Sequence, residues 1–269
     1  NQTIQSVTSE LEAYRFDRAA NDLYQFIWHD YCDSYLELIK PTLQDPASPE
    51  GSGTRQTLVE TLETTMRLLH PFMPYLTEEI WHTLPHQGES IVVQKYPTPE
   101  SSWTAPEMDR RFTLLEQTIS LVRTSRVLLN YPPGQQTTFY VAHDEQQRQD
   151  HLHEVRSYLA HLGRGTVDLI PPVSWPTSHL LRLVTEGLSV GMTVAGDVDL
   201  KKALDRINKE QSEQAKEIQR LEGKLRNQEF IAKAPPDVIA DHQNRVKNLR
   251  RDQSMLASSA QQVQGMLGS

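Results

Sequence analysis

Lys224-Leu225-Arg226-Asn227-Gln228-Glu229-Phe230-Ile231-Ala232-Lys233-Ala234-Pro235-Pro236-Asp237-Val238 separates two runs of identical spacing, and its reading decides the architecture. Before it, core-compatible residues recur at alternating steps of four and three: Leu200, Leu204, Ile207, Gln211, Gln214, Ile218, Leu221 and Leu225. After it the same steps return at His242, Val246, Leu249, Gln253, Leu256, Ala260, Val263 and Leu267. Each run is a heptad seam, and two seams joined by a short turn pair antiparallel. Facing residue numbers then add to 467, which sets Leu221 opposite Val246, Ile218 opposite Leu249, Ile207 opposite Ala260 and Leu200 opposite Leu267. Gln214 falls opposite Gln253, so the spacing predicts a paired amide inside the seam. Ala234-Pro235-Pro236 closes the turn, because proline ends one helix and pre-sets the first turn of the next, with Asp237 at its positive end. About thirty residues per helix make an arm of about 45 Å.

The 269 residues suffice for two or three domains. No apolar run approaches the roughly eighteen residues of a membrane span, and no signal-peptide pattern is present, so a soluble chain is expected. Cys32 is the single cysteine, which excludes an internal disulfide and makes a reducing, cytoplasmic setting the default expectation. The chain starts at Asn1 and is expected to be part of a longer polypeptide. Net charge is −8, unevenly spread: residues 198–269 carry +3 and the remainder −11. Lys216, Arg220 and Lys224 recur every four residues on one helical face, with Lys233, Arg245, Lys247, Arg250 and Arg251 on or beyond the turn. Such a face is either a solvated flank or a stripe contacting phosphates.

In chain order, a helix is expected over Thr8–Ile39, with Ala20, Leu23, Ile27, Tyr31 and Leu38 inward and Lys40-Pro41 as its stop. Residues 44–54 read as a surface loop. Leu58, Leu62, Met66 and Leu69 mark a second helix ended by His70-Pro71. A third runs from Pro74 to Leu84 with Leu76, Ile80 and Leu84 inward. Beyond it, a helix over 107–129 leads through Tyr131-Pro132-Pro133-Gly134 into a strand over 137–141. A helix over 145–161 and strands over 166–170, 179–184 and 188–195 complete a small α/β unit. The expected fold is mainly α: a helical bundle at 1–106, a small α/β connecting domain at 107–197, and an antiparallel two-helix coiled-coil arm at 198–269.

Residues 14–40, Tyr-Arg-Phe-Asp-Arg-Ala-Ala-Asn-Asp-Leu-Tyr-Gln-Phe-Ile-Trp-His-Asp-Tyr-Cys-Asp-Ser-Tyr-Leu-Glu-Leu-Ile-Lys, resemble the helix that opens the anticodon-binding domain of the valyl-tRNA synthetases, class I enzymes. Residues 67–81, Arg-Leu-Leu-His-Pro-Phe-Met-Pro-Tyr-Leu-Thr-Glu-Glu-Ile-Trp, resemble a segment that this family shares with the isoleucyl and leucyl enzymes. The Lys-Leu-x-Asn-x-x-Phe-x-x-Lys-Ala-Pro-x-x-Val pattern at 224–238 is similar to the tip of the family's C-terminal coiled coil. The family usually has Trp where this chain has Ser34, so a neighbour must fill that space.

The family's two nucleotide-binding signatures, of His-x-Gly-His and Lys-Met-Ser-Lys-Ser type, do not occur here. No catalytic residue, metal ligand or cofactor is therefore expected in this chain, and the resemblance implies that ATP is used by the catalytic domain of a parent synthetase. Gly51-Ser52-Gly53 lacks the lysine and serine of a phosphate cradle. His151 and His153 point to opposite faces of their helix, and His70 and His82 read as packing or capping groups. The resemblance implies tRNA as partner, with the bundle at the anticodon stem and loop and the arm on the outer corner where the D and T loops meet. Neither DNA nor a membrane is expected, and a monomer is the default. Candidate anticodon-side residues are Arg15, Arg18, Lys40 and Arg67, with Trp28 as a stacking ring. On the arm they are Lys216, Arg220, Lys224, Asn227, Phe230, Lys233 and Arg245. Phe230 is either a cap on the hairpin core or a platform for a tRNA base. A stand-alone tRNA-binding module and a coiled-coil protein adaptor are the alternatives.

Overall fold

A computed structural model describes residues 1–44, 48–196 and 198–268. Asn1–Asp109 and Arg110–Ser269 form two compact units, and the architecture is mainly α with one four-stranded sheet.

The first unit opens with α1 (Gln2–Glu12) and α2 (Phe16–Tyr24), a π-helix (Gln25–Tyr35) and α3 (Leu36–Leu43), followed by α4 (Pro49–Leu69) and α5 (Pro74–Thr83). The single helix expected over 8–39 is thus broken: Tyr14 turns the chain at φ 57° between α1 and α2. From Phe16 onward the helix does run unbroken, but its middle is wound more loosely than the 3.6 residues per turn of an α-helix. Ala19, Leu23, Tyr31 and Ile39 are buried while Ala20 is exposed, so the inward row steps by four rather than alternating. The looser turns explain this, since a step of four drifts forward in α and backward in π. Ser34 is half-buried, and the ring that packs beside Tyr31 is Tyr35, with centroids 5.6 Å apart.

Lys40-Pro41 does not stop the helix, because Pro41 lies in its last turn and forfeits one hydrogen bond near an end where few remain. The expected loop at 44–54 is also corrected. Ser48 caps α4 by accepting from Gly51 N at 2.9 Å and Pro49 occupies the first helical position, so 49–54 are helical; residues 45–47 lie outside the described set. His70 closes α4 as expected and binds Thr77 Oγ1 at 2.7 Å. On α5 the buried residues are Thr77 and Trp81, whereas Leu76 is exposed and Ile80 and Leu84 are half-buried. Trp81 displaces the leucine row because its indole fills the space beside Met66 and Ile91 and donates to Glu63 Oε1 at 2.9 Å.

Two tyrosines tie this bundle together. Tyr31 donates to the Leu58 carbonyl at 3.3 Å and Tyr96 to the Leu68 carbonyl at 3.2 Å. Burial pushes both hydroxyls up to about 12, helped at Tyr31 by the neighbouring Tyr35 and Cys32. A raised pKa means that the folded state holds the proton more tightly than the unfolded one. The stabilisation is therefore complete below about pH 10 and lost as pH rises through about 12. Melting curves against pH are expected to show this loss, and Tyr31→Phe with Tyr96→Phe should flatten it; equal alkaline slopes for the two proteins would reject the assignment.

The second unit begins with α6 (Pro106–Leu128), and continues with β1 (Thr137–His143), α7 (Gln146–Glu154), α8 (Arg156–Gly163), β2 (Gly165–Asp168), β3 (Leu180–Thr185) and β4 (Leu188–Thr193). The helix expected over 145–161 is two, broken at Val155, whose ψ of 13° leaves the helical region. The sheet order is β2-β1-β4-β3, with β1 and β2 parallel across the α7–α8 crossover and the other pairs antiparallel. Glu186 and Gly187, at φ 46° and 82°, make the two-residue turn of the β3–β4 hairpin. Gly165 is required by close approach, because a Cβ there would lie 1.9 Å from the Thr137 carbonyl oxygen. Phe139, Leu181, Leu183, Val190 and Met192 are fully buried in this sheet's core.

Buried Arg126 organises the entry to β1. It donates to Thr137 Oγ1 at 3.1 Å and to the Pro132 and Gln135 carbonyls at 2.9 and 2.8 Å, folding the Tyr131-Pro-Pro-Gly segment around one guanidinium. Tyr131 donates to the Thr193 carbonyl at 2.7 Å and accepts from Ala195 N at 2.8 Å, which joins the end of α6 to the end of β4.

The chain closes with α9 (Leu200–Arg226), a short α10 (Gln228–Lys233) and α11 (Pro236–Leu267). Asp199 caps α9 by accepting from Lys202 N at 3.1 Å, and Pro236 is the first residue of α11 with Asp237 in its first turn. Toward the tip the predicted register holds: Ile218, Leu221, Val246 and Leu249 form one cluster, with Leu225 against it. Glu222 and Arg250 bond across the pair at 2.6 Å. The predicted amide pair does not form; Gln214 donates to Glu210 of its own helix at 3.3 Å and its Oε1 is buried without a partner.

Near the base the seam departs from the prediction. Ala203 and Ile207 are buried on α9, and Leu256, Ser259 and Val263 on α11, while Ala260 is half-buried and Leu267 is exposed. A third element causes the shift, since α11 packs there on β3. Gln262 accepts from Arg182 N at 2.8 Å and donates to the Arg182 carbonyl at 2.9 Å, occupying that residue's outward backbone groups as another strand would. Arg206 reaches the Val127 and Leu128 carbonyls and Asn130 Oδ1 at 3.1 to 3.3 Å, satisfying the open end of α6, and Arg251 binds Glu186 at 2.9 Å. These ties join the hairpin base to the sheet and to α6.

Candidate nucleic-acid interface

On the arm, three of the cations predicted from spacing, Arg220, Lys224 and Arg245, act on one carboxylate. Glu217 accepts from Arg220 at 2.6 and 2.8 Å. That bond, with the charges of Arg220, Arg245 and Lys224, holds the Glu217 carboxyl below the usual range, and Glu217 in turn raises the Arg220 guanidinium. Arg245 comes from α11, so the stripe is built by both helices. Lys216 and Lys224 are exposed and make no ion pair among the described residues, leaving their charge for an anionic partner.

At the tip, Asn227 is occupied as the cap of α10: its Oδ1 accepts from Glu229 N at 2.9 Å and from Phe230 N at 3.2 Å. Phe230 is half-buried and lies against the His242 ring, with centroids 5.7 Å apart and planes 20° from parallel. The ring thus caps the hairpin core on one face. Lys233 pairs with Glu229 at 2.6 Å.

Two regions match known families. Residues 1–141, more than half of the chain, match the anticodon-binding domain of tRNA ligase. The chain belongs to that family. This anticodon-binding family member also matches the valyl tRNA synthetase tRNA binding arm over residues 199–264, the hairpin described above. It is 34% identical over 256 residues to the valine–tRNA ligase of Carboxydothermus hydrogenoformans, covering 95% of this chain and 29% of that protein. The valine–tRNA ligase of Bacillus subtilis is 35% identical over 248 residues, covering 92% and 28%. That of Symbiobacterium thermophilum is 31% identical over 288 residues, covering 100% and 32%. The chain therefore spans about three tenths of the length of the curated relatives it matches.

In the anticodon-binding unit the predicted contacts are dispersed. Arg15 precedes α2 and pairs with Glu10, Arg18 lies in the first turn of α2, and Lys40 is bonded to Glu37 in α3. Arg18 and Lys40 sit 22 residues apart near opposite ends of one helix, about 30 Å, so they cannot serve one contact. Trp28 is 55% exposed and lies parallel to Tyr24 at 6.2 Å. Arg67 grips Glu63 through Nε and Nη2, each at 2.8 Å, and donates from Nη1 to the Lys95 carbonyl at 2.9 Å. That fork lies in an open cleft of about 1150 Å³ between α4, the end of α5 and residues 93–103.

Residue spacing does not reveal this cleft or the anchors Arg206 and Gln262. A lone Trp103 in a polar, Pro- and Ser-containing stretch was the available signal for the first; the anchors gave none, because off-seam polar residues are the ordinary surface of a coiled coil. Elsewhere, Gly51-Ser52-Gly53 forms the first turn of α4, His82 pairs with Glu78 at 3.1 Å, and His151 pairs with Glu154 at 3.0 Å. No group of three or more metal-ligating side chains converges among the described residues, and no described helix is long and apolar enough to cross a membrane.

Proposed function

We propose that this chain is the tRNA-binding portion of a valine–tRNA ligase. The bundle meets the anticodon stem and loop, and the hairpin lies on the outer corner of the L-shaped tRNA. One observation carries the reading: a matched anticodon-binding domain and a matched tRNA-binding arm stand in one chain, the arm with cations from both helices around Glu217. The arm's base, tied to the sheet by Gln262 and to α6 by Arg206, supports a preset direction for the tip. Pre-setting that direction removes an ordering cost at binding. In the parent enzyme, ATP-dependent attachment of valine falls to a catalytic domain, and this part supplies affinity and orientation without a cofactor of its own. The reading also implies a monomer working in the cytoplasm.

The test is binding of the chain to valine tRNA and to a second tRNA at two salt concentrations. Binding that prefers valine tRNA and weakens steeply with salt is expected. Equal binding to both would reduce the assignment to a general tRNA-binding module, and no binding at low salt would reject it in favour of a protein adaptor.

A further inference from the structure

We propose that the cleft between α4, the end of α5 and residues 93–103 seats one unstacked nucleotide of an RNA loop, with Trp103 as the stacking face and Lys95 facing its phosphates. The assignment rests on the tRNA-binding reading and adds a site to it.

Charge is the first observation. Residues 1–109 hold 17 acidic and only six basic side chains, a net of −11. Three of those six, Arg55, Arg67 and Lys95, line this single cleft. Its acids are Glu60 and Glu63; Glu63 is engaged by Arg67 and by the Trp81 indole, and Glu60 accepts from Gln56 at 2.8 Å. The cleft is thus a local positive spot on a unit that otherwise repels a polyanion. An RNA loop therefore gains most where a single extruded residue meets this spot, the stem being held away from the acidic faces.

Shape and chemistry are the second. Trp103 is 58% exposed although indole burial is favourable, so a planar face is open at the rim. The floor is built: Trp81 is 1% exposed, the His86 ring packs on it at 4.1 Å, and Arg67 holds the Lys95 carbonyl in place. Side-chain amides of Gln56 and Gln94 supply donors and acceptors at the wall, and Gln94 is itself held by the Gln87 carbonyl at 2.9 Å. A ring to stack on, amides for a base edge and cations for phosphate are what an unpaired nucleotide uses. A volume of about 1150 Å³ admits it with its flanking phosphates.

The experiment measures binding of the whole chain to the anticodon stem-loop of a valine tRNA and to a fully paired duplex of the same length. Trp103→Ala and Lys95→Gln should each weaken stem-loop binding about ten-fold, leave duplex binding within two-fold, and keep the circular dichroism, since both side chains are exposed. Trp103→Phe should recover most of the affinity, because a phenyl face also stacks. Stem-loop affinity within two-fold of the parent for both Trp103→Ala and Lys95→Gln would overturn the site while leaving the tRNA-binding reading in place, and equal losses on the duplex would reassign the residues to general charge or folding. A parent chain that binds neither intact tRNA nor stem-loop would remove both.

Discussion

Alanine at Lys216, Arg220 and Lys224 together is expected to weaken tRNA binding by about 10- to 100-fold near 0.1 M salt and to lower the salt slope by about two to three units. The slope counts phosphates neutralised, and each exposed cation that meets one contributes nearly a full unit. Lys216 and Lys224 make no ion pair among the described residues, so their loss should register in full. Arg220 already shares its charge with Glu217 at 2.6 Å, so Arg220→Ala alone should have the smallest effect of the three. Adding Arg245→Ala should deepen the loss, because its charge acts on the same carboxylate from α11. All four are exposed, and the hairpin's melting should hardly change. Unchanged affinity would reject the stripe, and reduced affinity with an unchanged slope would assign the contact to shape rather than to phosphate.

The largest expected effect on folding lies in the second unit. Arg126→Met should destabilise it by about 3 kcal/mol, read from denaturant unfolding. Methionine matches much of the aliphatic stem but leaves the Pro132 and Gln135 carbonyls and Thr137 Oγ1 without their donor. Hydrogen bonds to a charged group are worth about 1.5–3 kcal/mol, and stranded buried acceptors carry their own desolvation cost. Burial and the nearby Arg164 hold the pKa of this guanidinium below its usual value, the direction expected of a cation that has given up water, so its carbonyl and hydroxyl acceptors are what offset that cost. Arg126→Lys should cost nearly as much, because one ammonium cannot span acceptors on three residues. A loss under about 0.5 kcal/mol for Arg126→Met would show that the Tyr131-Pro-Pro-Gly segment is held by its prolines and by Tyr131 alone.

What was legible depended on how many partners a segment has. The strands over 137–143, 165–168, 180–185 and 188–193 and the helix over 106–128 fall within a few residues of their expected places, since each is an apolar-rich run bounded by Pro or Gly. The first helix misled for a local reason: the looser winding of 25–35 keeps a step-of-four row inward, which α-helical spacing cannot represent. Leu76 misled for a tertiary one, because Trp81 claims the interior of α5.

The arm divides along the same line. From Ile218 to Leu249 each helix has only the other to bury against, so repeat spacing alone determined the hairpin, its turn at Pro235-Pro236 and its register. At the base α11 also meets β3, and only the tertiary structure decided that Ala203 and Ser259 line the interior, that Gln262 joins the arm to the sheet edge, and that Gln214 turns to Glu210 instead of Gln253. That Arg245 adds its charge to those of Arg220 and Lys224 near Glu217 is likewise tertiary, because residues on two helices act on one carboxylate only when the pairing brings them to the same height. A seam is written in one-dimensional spacing, whereas a third contact or a shared charge depends on distances that spacing does not encode.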